Sequence, residues 1–353
     1  MISFLDVVKQ EEFRKKVSLR LAKETQNETY KIAYDFPLLY RYRVLSKYTL
    51  EDILTDSVTT SSIGLFNDLF DGSVYRYVDE KRDKYIDSEW NKFTQLQSKV
   101  NLKGLIEENY YKELLKHQTK IENRLSFRRL DFLRTFVCCF SQKNNSTLMW
   151  SHYANSNMGI CIEYDFNKWN TQMPSRHLLF PIAYSESPID TNDLVNKVEN
   201  NKNTDDSLEQ AIICSVLNKS KVWSYENEWR LLYVFPGIPE ETERISVNIK
   251  IKPNAIYFGY HFLKPCFYTK WEYTKSCEEY TEILFILLKF MIKESIKAYI
   301  MVPKYGSYDL FAKEIDVMKL YSFVLSNFEE KFKSIRYYYT IHDELMDVLE
   351  TND

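Results

Sequence analysis

The chain has 353 residues and a formal net charge of −3, with 47 basic and 50 acidic side chains interspersed along it. This balance excludes a protein that coats nucleic acid with a basic surface, although a local basic groove stays compatible with it. Only 7 residues are glycine and no GxGxxG or GxxxxGK[ST] motif occurs, which excludes the common glycine-rich phosphate loops.

The first predicted elements are one or two polar helices over residues 1–35, followed by a strand in FPLLYRYRVLS at 36–46. The run LEDILTDSVTTSSIGLFNDLFD then predicts a short helix and a loop with turn-forming residues at its end. Residues 80–134 are charged, helical in pattern and nearly free of glycine and proline. We expect them to form a helical insertion.

The middle of the chain predicts a strand, a helix and a returning strand. FVCCFS at 136–141 is apolar enough for a buried strand, and NNSTLMWSHYA then indicates a turn and a helix. Ser146 or Asn145 is placed to cap this helix. Gly159 ends the segment, and GICIEYDF at 159–166 predicts the next strand.

The later elements begin with a polar segment, 185–210, which predicts a surface loop flanking a short helix. QAIICSVLNKSKVW has a helical pattern, and EWRLLYVF at 228–235 and IKPNAIYFG at 251–259 predict strands. Residues 262–353 are mainly helical in pattern, with one strand near AYIMVP at 298–303.

These elements predict an α+β protein with small, mixed and largely antiparallel sheets. We expect a single domain over 1–353, with its core at 36–260. Helices would decorate this core at the N-terminus, in the 80–134 insertion and in a C-terminal extension at 262–353.

The six cysteines show no CxxC pair and no histidines at zinc-ligand spacing. Those at 138, 139 and 161 fall within apolar runs, where a free thiol behaves as a small hydrophobic side chain. We therefore expect reduced, buried thiols in a cytoplasmic protein.

Neither a signal peptide nor a membrane span is expected. The N-terminal residues lack a long apolar stretch and a small-residue cleavage site. The most apolar run, 283–300, is interrupted by Lys289, Lys293 and Glu294, well short of the roughly 20 apolar residues that a span needs. It predicts a buried helix, or a helix followed by a strand.

The motifs MWSHYA…GICIEYDF, with FND upstream and YENEWRL downstream, resemble a bacterial family known as domain of unknown function 2971. The matching positions are Tyr40 to Arg43, Phe66-Asn67-Asp68, Trp150-Ser151-His152-Tyr153-Ala154, Gly159, and Trp223 through Arg230. The resemblance covers about residues 38–260. At the FND turn, Leu69 stands where the family has proline and Asp71 where it has glutamate.

The order of the predicted strands also resembles the ADP-ribosyltransferase fold. In that fold a first strand carries arginine or histidine, a second ends in serine or tyrosine, and a later strand begins with the catalytic glutamate, often as E-x-E. The resemblance places Arg43, Ser141 and the pair Glu226 and Glu228 in these catalytic positions, with Arg41 as an alternative to Arg43.

The resemblance implies a role for each of these residues. Cleavage of the nicotinamide–ribose bond passes through an oxocarbenium-like state, which Glu228 would stabilise while fixing the ribose 2′-hydroxyl. Glu226 would orient or deprotonate the incoming nucleophile, and Arg43 would hold the pyrophosphate. Further contacts to NAD would come from Tyr42, Trp150, His152, Tyr153, Tyr225 and Arg230.

Each of these residues also has a structural interpretation. On one strand face, Glu226, Glu228 and Arg230 would equally form an ion-pair surface. Ser141 suits a turn in its own right, and His152 suits a hydrogen-bonded packing position.

The expected function is therefore that of an ADP-ribosyltransferase-like enzyme, with NAD as substrate and a protein or nucleic acid as acceptor. A bacterial toxin or phage-defence effector is the setting that the resemblance implies; a homo-oligomer or a regulatory partner protein is left open. The alternative is a non-enzymatic sensor that binds a nucleotide or a partner on the same fold. A metal-dependent nuclease would have to use Asp68, Glu163 and Asp165, but the sequence offers no metal-ligand spacing, so no metal is predicted.

Overall fold

The structure is a computed structural model that describes residues 11–27, 30, 36–68, 70–71, 90–92, 94–95, 112, 135–168, 177–187, 189, 207–234, 244–266, 275–328 and 345. The α-helices of these residues are α1 (Glu11–Glu24), α2 (Lys47–Leu54), α3 (Thr147–Tyr153), α4 (Ser207–Val216), α5 (Lys275–Glu294) and α6 (Val317–Phe328).

The strands are β1 (Leu38–Arg43), β2 (Ser57–Ser62), β3 (Thr135–Ser141), β4 (Ile160–Asp165), β5 (His177–Pro181), β6 (Ala183–Ser185), β7 (Asn218–Ser220), β8 (Glu228–Val234), β9 (Arg244–Asn248), β10 (Ala255–Phe258), β11 (Lys297–Pro303) and β12 (Leu310–Ile315). Ten of them form one sheet, and β6 and β7 form a small parallel pair. In the large sheet only β10 and β11 pair in parallel among the described strands.

Strand β3 is the point at which the large sheet forks. One edge of β3 pairs with β8 from Thr135 to Ser141, and β8 in turn pairs with β5. The other edge is shared, because β1 meets β3 at Ser141 whereas β2 meets it at Phe136 and Val137. The arm that starts with β1 continues through β4, β10, β11 and β12, and the arm that starts with β2 ends at β9.

The two faces of the sheet are packed differently. One face carries the largest apolar core, to which α5 contributes Leu284, Leu287, Leu288 and Met291. On the opposite face, Phe13, Val17 and Leu21 of α1 pack with α4 against β3, β5 and β8. A third apolar cluster on this second face joins Trp150 of α3 to Tyr42 and Tyr257.

Local sequence signals explain where the short helices start. The Ser146 hydroxyl accepts a hydrogen bond from the Met149 amide, so the predicted cap of α3 is confirmed. Ser46 caps α2 in the same way. Gly159, which follows α3, is required for close backbone approach, since a Cβ there would lie 2.3 Å from the Arg43 carbonyl oxygen.

The α+β class and the largely antiparallel pairing are confirmed, but the main sheet is larger than the small sheets expected. The difference comes from four strands that were not predicted, namely β2, β5, β9 and β12. Strand β2 has the sequence SVTTSS, and so many hydroxyl side chains are typical of a loop. The helix predicted over QAIICSVLNKSKVW ends at Val216, and β7 and a 3-10 helix follow it.

Several predictions fall outside the described residues. The 80–134 insertion lies almost wholly outside them, as do most of the 185–210 loop and the chain after Phe328. Within the described C-terminal part, the apolar run at 283–300 is a helix followed by a strand, as expected. In the part of the chain that the structure covers, no helix is long and apolar enough to cross a membrane.

Candidate functional site

The E-x-E segment lies at a change of backbone direction, not within a strand. Glu226 ends the 3-10 helix Lys221–Glu226, Asn227 adopts a left-handed conformation with φ 45° and ψ 53°, and Glu228 begins β8. The expectation that both acids share one strand face is therefore wrong. Asparagine is among the residues that tolerate this conformation best, and the reversal that it makes still brings the two carboxylates together.

Lys219 of β7 joins the two carboxylates. Its ammonium nitrogen lies 2.5 Å from Glu226 Oε2 and 3.0 Å from Glu228 Oε2. All three side chains are buried. Burial lowers the pKa of Lys219, but the charges of Glu228 and Glu226 outweigh this effect and raise it overall.

Arg230 holds the other side of Glu228. Its Nε donates to Glu228 Oε1 at 2.7 Å, and its two terminal nitrogens donate to the Asp71 carboxylate at 2.7 and 2.6 Å. It also donates to the Val216 carbonyl, and its guanidinium lies 5.2 Å from the centre of the Phe66 ring. With 0% exposure, Arg230 is the fully buried centre of the group.

We call Asp71, Lys219, Glu226, Glu228 and Arg230 the ionic cluster. It contains three carboxylates and two cations, so it carries one negative charge in excess when every member is ionised. Buried ions cost several kcal/mol each unless their partners compensate for lost hydration. Such clusters are enriched at functional sites, although structural ion-pair networks also occur.

The pKa values of the two glutamates are shifted in opposite directions. Burial alone would raise the pKa of Glu228, but Arg230 and Lys219 lower it to about 2, so this side chain is held as a permanent anion. For Glu226, burial raises the pKa, and the attraction of Lys219 offsets only part of this. Of the two carboxylates, Glu226 is therefore the one that takes up a proton more readily.

Tyr153 connects the ionic cluster to the WSHYA helix. Its hydroxyl donates to Glu226 Oε1 at 2.6 Å, and Asn67 of the FND turn also forms a hydrogen bond with it. Tyr153 and Tyr225 are half-buried, and Trp223 lies under the Lys219 ammonium, with 5.0 Å between the nitrogen and the ring centre. The FND, WSHYA and YENEWR motifs therefore meet at one place.

Ser141 lies beside the ionic cluster, where its side chain holds the backbone next to Glu226. It is fully buried, and its hydroxyl donates to the Glu226 carbonyl oxygen at 2.6 Å while accepting from the Lys143 amide at 3.1 Å. Because both hydrogen bonds go to backbone groups, Ser141 fixes the turn that carries Glu226. It does not reach a ligand directly.

Arg43 does not share a face of the sheet with Glu228, so the prediction that it lies in the same cleft is wrong. Tyr40 lies opposite Ser141, which lies opposite Glu228, so these three side chains share a face. Arg41 and Arg43 alternate with Tyr40 and point to the other face. There, Arg41 pairs with Asp52 at 3.2 Å, while the buried Nε of Arg43 has no hydrogen-bond partner.

The remaining predicted NAD contacts divide into packing and exposed positions. Tyr42 and Trp150 pack edge to face with 5.2 Å between ring centres, and each donates to a backbone carbonyl of the 143–144 loop. His152 is exposed beside Tyr153. Tyr42 of β1 and Trp150 of α3 are buried against each other. Of the three side chains, only His152 is available to solvent.

Cys139 is exposed, which corrects the prediction that it is a buried thiol. It lies on the same face of β3 as Ser141 and opposite Arg230 on β8, at the fork between β1 and β2. Cys139 thus marks the side from which solvent approaches the ionic cluster.

Sequence reasoning missed two members of the cluster as site residues, Lys219 and Asp71. Lys219 falls in a segment that was predicted as a helix, and a lysine in such a segment is expected to be exposed to solvent. Asp71 carried a signal, because an acid occupies this position both here and in the family pattern.

A cavity of about 440 Å³ lies elsewhere, between the end of α5, strands β11 and β12, and the start of α6. It is lined by Met291, Lys297, Glu314 and Asp316 among others, and by none of the predicted site residues. Among the described residues, no group of three or more His, Cys, Asp or Glu side chains is arranged to hold a metal ion.

The fold and site define an α+β protein with a buried ionic cluster at the fork of its sheet. Residues 149–231 match the family described as Protein of unknown function (DUF2971). The match covers the helix with the WSHYA motif and the YENEWR turn, and it confirms the family predicted from these motifs. Comparisons with curated proteins and with solved structures found no match.

Proposed function

We propose that this protein is an ADP-ribosyltransferase-like enzyme that cleaves the nicotinamide–ribose bond of NAD and transfers ADP-ribose to a protein or nucleic-acid acceptor. One observation carries the proposal: three separate motifs converge on a cluster with an excess negative charge beside tyrosine rings. The nicotinamide ring of NAD is a pyridinium cation, and the ribose becomes cationic as the bond breaks. An anionic, aromatic site favours both species.

The two glutamates suit different steps of this reaction. When the bond between the ring nitrogen and ribose C1′ breaks, its electron pair leaves with nicotinamide and C1′ becomes electron-poor. Glu228, held as an anion by Lys219 and Arg230, supplies fixed negative potential. Glu226 then takes the proton that the acceptor's nucleophilic group loses as it bonds to C1′. Tyr153 orients the Glu226 carboxylate for this transfer.

The test is release of nicotinamide, measured by liquid chromatography, from NAD alone and from NAD with mixed protein and nucleic-acid acceptors. General-base groups contribute typically 10²–10⁴-fold, so we expect Glu226→Gln to lower the rate at least 100-fold. Glu186→Gln is the matched control, because Glu186 also pairs with a lysine, Lys221, but on the exposed surface. A wild-type protein that releases no nicotinamide, or a Glu226→Gln variant as active as the control, overturns the proposal.

A non-enzymatic sensor is the second candidate, favoured by two observations. Arg43, the predicted pyrophosphate ligand, lies on the other face of the sheet, and Glu226 and Glu228 are only 3% and 4% exposed. A sensor would bind NAD or another nucleotide without consuming it. Calorimetric binding with no nicotinamide release over hours would select this function over the enzyme. The setting of a bacterial toxin or phage-defence effector is proposed for either one.

A further inference from the structure

Three tyrosine rings in mutual contact lie beside a buried carboxylate, on the same face of the sheet as the ionic cluster. The rings of Tyr257 and Tyr299, on neighbouring strands, stack with 4.8 Å between centres, and Tyr40 meets Tyr257 edge to face at 5.8 Å. Glu163 lies on β4, between the strands that carry Tyr40 and Tyr257, because it is opposite both Tyr40 on β1 and Ala255 on β10. We call these four residues the tyrosine shelf.

Glu163 accepts hydrogen bonds, but among the residues that the structure describes no cation pairs with it. Its Oε2 accepts from the Tyr257 hydroxyl at 2.7 Å, and it is 9% exposed. Among the described residues no lysine or arginine forms a salt bridge with it; Lys297, two strands away, is paired with Glu314 instead. A buried carboxylate that lacks a cation is costly, whereas each carboxylate oxygen has capacity for a further donor.

Desolvation, together with the charge of Glu163 and a hydrogen bond to it, raises the pKa of Tyr40 to about 12. Burial and the hydrogen bond to Glu163 raise the pKa of Tyr257 as well. The hydroxyl groups of Tyr40 and Tyr257 therefore stay protonated and donate toward Glu163 at neutral pH. The shelf is then a negative charge walled by the faces and edges of neutral aromatic rings. Tyr40 and Tyr299 are half-buried, so the rings at both ends of the shelf reach solvent.

We propose that the tyrosine shelf binds the guanidinium group of an arginine from a partner protein. A guanidinium is planar, donates in a fork that matches a carboxylate, and stacks on aromatic faces, and it is more weakly hydrated than an ammonium. An ammonium gains the charge interaction but not the planar stacking. A metal ion does not fit, since Glu163 is the only carboxylate that the shelf supplies.

The shelf and the ionic cluster are connected. In-register pairing puts Glu163, Tyr40, Ser141 and Glu228 in one row across four neighbouring strands. Three strand spacings separate Glu163 from Glu228, which is on the order of 14 Å. The same apolar cluster runs under both, with Tyr40 and Tyr299 at one end and Tyr153 and Tyr225 at the other.

This spacing adds a specificity rule, which rests on the proposed function. An extended segment spans about 3.3–3.6 Å per residue, so a segment with its arginine on the shelf presents a residue about four positions away to the ionic cluster. The modified protein would then carry an arginine about four residues from the modified side chain. Arginine binding itself does not require NAD cleavage.

Binding is tested with a fluorescein-labelled peptide that has a single arginine within Gly-Ser repeats, followed by fluorescence polarisation on the full chain. The control peptide has citrulline, the neutral isostere, in place of arginine. We expect the arginine peptide to bind at least tenfold more tightly, which corresponds to about 1.4 kcal/mol. A lysine peptide should fall between the two. Equal binding of the arginine and citrulline peptides, or no binding of either, overturns the proposal.

Two variants locate the binding. Glu163→Gln keeps the shape and one acceptor but removes the charge, so it should abolish the preference for arginine over citrulline. Glu314→Gln is the matched control, because Glu314 is an exposed carboxylate near Tyr299. A loss of preference in the control, or its retention in Glu163→Gln, contradicts the assignment.

A third variant keeps the test valid if Glu163→Gln does not fold properly. If Glu163→Gln lowers the melting temperature, Tyr299→Leu replaces it, since Tyr299 is half-buried and its loss removes one stacking face. This variant should weaken the arginine peptide severalfold and the citrulline peptide much less, because only the guanidinium carries a charge that the ring attracts, and an unchanged preference refutes the proposal. Nicotinamide release is measured on each variant separately, so failure of arginine binding and failure of NAD cleavage are told apart.

Discussion

Replacement of Glu228 by glutamine tests the electrostatics of the ionic cluster directly. The change keeps the size of the side chain but removes the charge that Arg230 and Lys219 share. These two cations lower the pKa of Glu228 from 4.5 to about 2. At about 1.4 kcal/mol per pKa unit, this difference contributes about 3 kcal/mol to the free energy of unfolding at pH 7.

The pH dependence of this contribution has a defined sign. The folded pKa of Glu228 is lower than the unfolded value, so its stabilisation is present above about pH 4.5 and is lost as the pH falls toward 2. The difference in unfolding free energy between wild type and Glu228→Gln should be about 3 kcal/mol at pH 7 and about 1 kcal/mol at pH 3.

Urea unfolding followed by far-ultraviolet circular dichroism at pH 7, 5, 4 and 3 measures this difference. Glu186→Gln is the control, because its exposed pair with Lys221 is screened by solvent, and it should follow the wild-type curve. A Glu228→Gln variant within 1 kcal/mol of wild type at pH 7 would refute the reasoning. So would a difference that stays constant down to pH 3, since it would come from shape and not from charge.

Two further predictions concern access to the cluster and the tuning of Glu226. Tyr153→Phe removes a hydrogen bond that lowers the pKa of Glu226, so the acidic limb of the pH–rate profile for nicotinamide release should move to higher pH; an unmoved limb would separate Tyr153 from proton transfer. Maleimide should label about one of the six cysteines of the native protein, and Cys139→Ser should abolish the labelling, because the other five thiols are buried. Rapid labelling that survives Cys139→Ser would place the solvent-exposed side of the cluster elsewhere.

The central strands and the family could be predicted from the sequence because their signals are local. FVCCFS, GICIEYDF and EWRLLYVF are short segments in which most side chains are apolar, and each is a strand within one or two residues of its predicted bounds. The cap at Ser146 follows from the hydroxyl side chain just before the helix. Strand β2, SVTTSS, was missed because its side chains are polar and only its neighbours in the sheet stabilise the strand.

The candidate site was predicted in part. Glu226, Glu228, Arg230 and Tyr153 do meet, as their motifs indicated, whereas Arg43 lies on the other face of the sheet. Alternation along a strand is visible in a sequence, but the face toward which a given residue points depends on the register with its neighbours. In the run YRYR, a shift of one residue would exchange the tyrosines for the arginines.

The sequence alone therefore determined which side chains were available and the local structure around most of them. Only the tertiary structure decided the charge balance of the site. Asp71 and Arg230 are separated by 159 positions in the chain and yet form a bidentate pair, and Lys219 reaches both glutamates from a short strand. The pKa values of the glutamates depend on these distances and on burial, so the opposite pKa shifts of Glu226 and Glu228 arise from the fold.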